Sequence, residues 1–247
     1  MKTFLICPGF ERAGTSWLYK TLSLSSSVNF GDFKEYHYFD SIHLESFKHF
    51  KKMNQLHDIF YKFYEDENYY YDYFFNILKN YKISGDFSPG YSDLSKDIFK
   101  EILNKFNQNN IDVKVLLLIR NPVDRHISAT NMRIQRDHVN INDDEYNKLL
   151  INNLTDSIFN ANSNYFETNN KFVDVFANNY LCFKYDNLFK QSGINKICDF
   201  LNIEKIGDIN FENKINKSHY NNNIYSETHD KLISFYKKDT EFYQNYS

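Results

Sequence analysis

Cys7-Pro8-Gly9-Phe10-Glu11-Arg12-Ala13-Gly14-Thr15-Ser16-Trp17 is the stretch around which the chain is organised. A short apolar run, Thr3 to Cys7, leads into it, and a helix-like segment, Thr15 to Ser23, leads out. Strand, glycine-bearing loop and helix together make a phosphate-binding geometry. The first amides of the helix have no carbonyl partner within it, and the helix dipole adds positive potential there. Gly9 and Gly14 allow a tight turn and a close approach to an anion. Thr15 and Ser16 add hydroxyl donors.

The stretch nearly matches the Walker A pattern. That pattern requires Lys directly after the second glycine, to reach the β- and γ-phosphates of a nucleoside triphosphate. Thr15 stands there instead, and the nearest cation is Arg12, inside the loop. A triphosphatase or small-molecule kinase therefore lacks its phosphate-bridging lysine.

The 247 residues suffice for one sizeable domain, 1–247. A net charge of −3 gives no footprint for nucleic acid. Cys7, Cys182 and Cys198 lie in or beside apolar runs without ligand spacing, which predicts reduced buried thiols of a cytoplasmic chain and no metal site. The first apolar run stops at Pro8, too short for a membrane span, and no signal peptide is visible.

Further along, Val28-Asn29-Phe30 reads as a short strand. Residues 43 to 80 lack Pro and Gly and read as two helices. Ile83 to Tyr91 is a short strand ending in a loop, with Ser92 or Asp93 as the cap of a helix running to about Phe106. Val113 to Ile119 is the clearest strand, its nearly continuous apolar run fitting the middle of a parallel sheet. A helix follows from about Val123 to Arg136, a weaker one spans Tyr146 to Phe159, and Tyr180 to Tyr185 is a last strand. Ile194 to Leu201 is a short helix, and Thr228 to Tyr246 reads as one amphipathic helix. Alternating strands and helices predict an α/β fold around a mainly parallel sheet, with ligands at the carboxyl ends of the strands.

Four segments, in this order, resemble sulfotransferases that use 3′-phosphoadenosine 5′-phosphosulfate (PAPS). They are Arg12-Ala13-Gly14-Thr15-Ser16-Trp17, Lys34-Glu35-Tyr36-His37-Tyr38-Phe39-Asp40, Arg120-Asn121-Pro122-Val123-Asp124-Arg125-His126-Ile127-Ser128 and Tyr185-Asp186-Asn187-Leu188. The Lys34–Asp40 segment resembles the Lys-Glu-x-His-x-Phe motif of the heparan sulfate and related carbohydrate branch. The resemblance implies a P-loop-containing, three-layer sulfotransferase-like fold. It implies an enzyme that passes a sulfuryl group from PAPS to a hydroxyl, a saccharide's among the candidates, leaving 3′,5′-ADP and needing no metal.

By the same resemblance, the loop amides with Ala13, Gly14, Thr15 and Ser16 hold the 5′-phosphosulfate. Arg12 offsets charge on the leaving oxygen. Trp17 stacks on adenine or, on the bland reading, is simply core. Arg120 and Ser128 hold the 3′-phosphate, while Arg125 is expected on a solvated helix face. Glu35 is the implied general base, with His37 as the rival or helper, and Lys34 meets substrate or the leaving phosphate. Asp86, Ser88 and Tyr91 occupy the family's substrate-side loop, although Phe87 stands where the carbohydrate branch commonly has Lys. Lys214 and Lys217 fall in the position of a basic loop closing over the nucleotide. The alternative reading is a P-loop nucleotide binder or small-molecule kinase without sulfotransferase activity.

Overall fold

A computed structural model describes residues 1–54, 58–156, 159, 163–212 and 222–246. Four parallel strands form its sheet: β1 (Lys2–Ile6), β2 (Ile83–Asp86), β3 (Ile111–Ile119) and β4 (Tyr180–Lys184), in the order β2-β1-β3-β4. The helices are α1 (Thr15–Leu22), α2 (Tyr38–His43), α3 (Lys48–Asn54), α4 (Asp58–Glu65), α5 (Glu67–Asn80), α6 (Lys96–Asn107), α7 (Pro122–Arg136), α8 (Asp143–Asn152), α9 (Tyr165–Phe176), α10 (Tyr185–Leu188), α11 (Gln191–Leu201), α12 (Ser226–Phe235) and α13 (Lys237–Asn245).

Register places the layers. Phe4 of β1 pairs with Val113 of β3, so both point to one face. There the Phe4 ring meets Phe74 of α5 at 4.8 Å and stacks on Phe106 of α6 at 4.1 Å. The next pair, Leu5 with Lys114, points to the opposite face. The Lys114 ammonium donates there to the carbonyl of Phe200 in α11. Helices thus cover both faces, which is why Val115 to Ile119 is apolar at every position and wholly buried. Phe4 and Leu5 of β1 belong to the same continuous core.

The chain leaves β1 toward β2 on one side and later places β3 on the other. The crevice between the ends of β1 and β3 is therefore the topological switch point, where ligands of such sheets bind. Loop contact there is tight: a Cβ on Gly9 would lie 2.4 Å from the Leu118 backbone nitrogen. Only glycine lets the first loop lie against β3.

Several boundaries differ from the sequence reading. Val28 to Phe30 is not a strand; Val28 makes a single bridge to Ile83, and the Asn29 N–H donates to the Ile83 carbonyl at 2.9 Å. The stretch from 43 to 80 holds more than two helices, because Leu44 is extended and Asp66 caps α5 by accepting from the Asn68 N–H. Ser95, rather than Ser92 or Asp93, caps α6; the other two lie in a 3-10 turn, Pro89–Asp93. Helix α8 ends at Asn152, well before Phe159, after opening on a capping box between Asn142 and Glu145. The last helix is broken at Tyr236, whose buried hydroxyl lies 2.8 Å from Nδ1 of His126. Among the described residues no helix is long and apolar enough to cross a membrane.

Candidate active site

The first loop turns on two left-handed residues, Arg12 at φ 68° and Gly14 at φ 97°. The Gly14 carbonyl accepts from the N–H groups of Trp17 and Leu18, which starts α1. A side chain at Gly14 would be strained by this φ, and its Cβ would lie 2.8 Å from Leu188 Cδ2. The amides of Thr15 and Ser16 then occupy the first turn, where helix geometry provides no acceptor.

Arg120 follows β3 directly, and the next two residues build the helix that carries Ser128. The Asn121 side chain accepts from the N–H groups of Val123 and Asp124, at 3.0 and 3.2 Å, and Pro122 occupies the first helical position. The Arg12 Nε donates to Ser128 Oγ at 3.0 Å, joining loop to helix. Arg120 donates to the Arg12 carbonyl at 3.3 Å, and its guanidinium lies over the Tyr185 ring, 4.7 Å from the centroid. Burial lowers the Arg12 pKa, Glu11 opposes this, and Arg120 adds to it.

Lys34, Glu35 and His37 approach from the other side. Lys34 and Glu35 form an ion pair. His37 adopts φ 48° at the start of α2, not the extended form that would place it on the Glu35 face. Its ring instead lies between two carboxylates, with Nε2 3.4 Å from Glu35 and Nδ1 2.7 Å from Asp40. The ring stacks on Phe50 with centroids 3.9 Å apart. Burial opposes a charged His37, but hydrogen bonds to Asp40 and Glu35 prevail and raise its pKa to about 9. Burial likewise opposes a charged Glu35, yet His37 and Lys34 hold its pKa down to about 2.

Asp86, Ser88 and Tyr91 do not reach the cavity. All three are buried in a hydrogen-bonded knot beneath it. Asp86 accepts from Ser88 Oγ at 2.6 Å, Tyr91 at 2.7 Å and Tyr70 at 2.9 Å. Ser88 Oγ accepts from the His37 N–H at 2.8 Å, and the Tyr91 hydroxyl accepts from the Tyr38 N–H at 3.2 Å. The expected substrate-side loop is thus a support that fixes the backbone at His37. Arg125 is also buried rather than solvated, with Nη2 3.5 Å from the Phe159 carbonyl.

One cavity of about 570 Å³ brings together Arg12, Gly14, Thr15, Ser16, Trp17, Lys34, Glu35, Arg120 and Ser128. Ala13 lies buried behind it. Trp17 lines the cavity and packs on Phe189, with ring centroids 4.9 Å apart. Lys214 and Lys217 lie outside the described residues. The sequence reading missed Glu11, Asn131 and Met132 in the wall and Asp40 behind His37. Glu11 precedes Arg12 in the loop, and Asp40 lies three residues beyond His37; those spacings were the available signals. Among the described residues no group of three or more His, Cys, Asp or Glu side chains is placed to hold a metal.

The structure is a parallel α/β sheet with a glycine-turned loop and cationic side chains at its switch point, where ligands of such sheets bind. The chain belongs to the sulfotransferase domain family, whose profile matches residues 2–245. The solved sulfotransferase of Alicyclobacillus acidocaldarius has the same fold, with a TM-score of 0.66 at 16% identity over 99% of this chain and 95% of that one. The sulfotransferase domain of the Synechococcus PCC 7002 olefin synthase gives a TM-score of 0.47 at 15% identity over 98% and 94%. A search of curated protein sequences finds no match.

Proposed function

We propose that this sulfotransferase uses PAPS as donor and a hydroxyl compound, with saccharides among the candidates, as acceptor. The observation that carries the reading is the convergence of Arg12, Thr15, Ser16, Lys34, Glu35, Arg120 and Ser128 on one cavity. The cavity has the volume of a small-molecule site, and its first-turn amides with Arg12, Lys34 and Arg120 suit a donor with phosphate at two positions.

When bound, PAPS supplies an activated sulfuryl group on a phosphate leaving group. Thr15, Ser16 and their amides hold the 5′-phosphosulfate, while Arg120 and Ser128 hold the 3′-phosphate. Trp17, Tyr185 and Phe189 provide aromatic walls for adenine. Arg12 meets the negative charge that grows on the leaving oxygen as its bond to sulfur breaks; as an arginine it acts by charge and hydrogen bonding. Glu35 takes the acceptor proton as the acceptor oxygen bonds to sulfur. An anionic donor that draws Lys34 away from Glu35 returns part of that carboxylate's basicity, while His37 continues to hold the rest down. His37, protonated between Glu35 and Asp40, orients Glu35 rather than acting as the base itself.

Thermal unfolding with 3′,5′-ADP and, separately, ATP–Mg²⁺ tests the donor class. A ligand at about a hundred times its dissociation constant stabilises by about 2.7 kcal/mol. Preferential stabilisation by 3′,5′-ADP is expected; preference for ATP would refute the reading.

A further inference from the structure

A second cavity, of about 590 Å³, shares no described lining residue with the first. Helical spacing assembles it, mainly from α2, α5 and α6. On α2, Tyr38, Phe39 and Ile42 fall three or four residues apart; on α5, Glu67 and Tyr71 are one turn apart; on α6, Glu101, Asn104 and Lys105 share a face. The volume is that of a small-molecule site.

The floor carries two hydroxyls with nothing to bond. Tyr38 and Tyr71 are only 4% and 8% exposed, and neither phenolic oxygen has a hydrogen-bond partner among the described residues. The fully enclosed polar side-chain atoms without a partner belong to Ser84, Arg125 and Thr240, so the two phenolic oxygens open into the cavity rather than being sealed behind it. Glu67 and Glu101 stand exposed on the rim, and neither forms an ion pair with a described residue. Burial first, then Glu67, raises the Tyr38 pKa to about 12; burial, Tyr38, Glu101 and Glu67 raise that of Tyr71. Both phenols therefore stay protonated and can donate as well as accept.

The ring faces are less available. The Lys51 ammonium lies over the Tyr64 ring, 5.1 Å from its centroid, and Lys105 lies over Tyr71 at 5.6 Å. A cationic ligand would compete with both lysines for those faces. Phe39 and the exposed Ile42 give an apolar contact instead, bordered by the two phenols, the two carboxylates and the amides of Asn104 and Gln108. A pyranose ring has the matching chemistry: an apolar C–H face, and hydroxyls at its edge that each donate and accept.

We infer that this cavity is a binding subsite for a neutral saccharide unit, separate from the transfer site, with Tyr38, Tyr71, Glu67 and Glu101 bonding its hydroxyls. The inference does not use the donor reading above.

The probes are the methyl β-glycosides of glucose, galactose and N-acetylglucosamine, with tetramethylammonium as the cationic comparison. Ligand-observed NMR titrations of the full chain measure the affinities. At least one glycoside is expected to bind in the millimolar range and more tightly than tetramethylammonium. Glu101→Ala and Tyr71→Phe each remove one hydrogen-bonding group and should weaken that glycoside about five- to tenfold. Glu35→Gln, in the first cavity, should leave its affinity within about twofold. Thermal unfolding checks each variant; Glu101 is exposed, so its truncation leaves the floor in place even where Tyr71→Phe does not fold. Binding of no glycoside, tighter binding of tetramethylammonium, or unchanged binding in folded Glu101→Ala and Tyr71→Phe overturns the inference. Loss in Glu35→Gln with none in Glu101→Ala does so as well, because it assigns the saccharide to the first cavity.

Discussion

His37 and Asp40 form a buried pair, 2.7 Å between Nδ1 and Oδ2, on the side of the ring opposite Glu35. The imidazole cannot leave this arrangement without breaking its stack on Phe50. Its pKa is raised from 6.5 to about 9, so the pair's contribution to stability is complete below about pH 6.5 and is lost as pH rises through about 9. Asp40→Asn should remove part of this contribution and move the His37 titration toward its ordinary value. Imidazole chemical shifts followed across pH check both; an unmoved titration would show that Asp40 does not set the charge.

His126 behaves in the opposite sense. Burial, opposed by its bond to the Leu150 carbonyl and reinforced by Arg125, lowers its pKa from 6.5 to about 4. Its contribution is present above about pH 6.5 and is lost as pH falls through about 4. Tyr236→Phe deletes the hydroxyl 2.8 Å from its Nδ1 and should cost roughly 1–3 kcal/mol, measured by denaturant unfolding at neutral pH.

Glu35→Gln separates chemistry from donor binding. Removal of a general base typically lowers turnover by about 10²–10⁴-fold. Affinity for 3′,5′-ADP should stay within about twofold, because the nucleotide is assigned to other residues. His37→Ala should also reduce turnover, through loss of orientation. Full turnover in both variants on a working acceptor would remove the Lys34–Asp40 segment from the mechanism.

Arg120→Ala should weaken 3′,5′-ADP far more than 5′-AMP. A charge-assisted hydrogen bond contributes about 1.5–3 kcal/mol, hence roughly tenfold or more. Equal losses for the two nucleotides would assign Arg120 to its structural contacts with Arg12 and Tyr185.

Gly14→Ala tests the loop itself. At φ 97°, with Leu188 Cδ2 2.8 Å from the new methyl, the variant should lose about 1–3 kcal/mol of stability and most donor affinity. Thermal unfolding with and without 3′,5′-ADP measures both effects.

The loop, β3 and the start of α7 were legible because each rests on local chemistry: a glycine-bearing turn, a nearly continuous apolar run and a proline in the first helical turn. Asp86, Ser88 and Tyr91 were legible as a group but not as a buried one. Their burial comes from Tyr70 on α5 and from the backbone at His37, contacts that no local pattern encodes. The split at Tyr236 was hidden for the same reason, since its partner His126 lies on α7. Residues 43 to 80 carry apolar side chains throughout, so period alone did not show where the helices stop; the Asp66 cap did.

The Arg12–Ser128 bond joins residues 116 positions apart, and the chain does not reach its last strand until Tyr180. Contacts of such long range form slowly, since their loop closures precede their reward. The cavity is therefore assembled from most of the chain rather than carried by its glycine loop. No fragment ending at β3 contains a site, because Ser128 and Tyr185 lie beyond it. Grafting the first loop onto another scaffold would transfer a glycine turn and leave Arg120, Ser128 and Tyr185 behind.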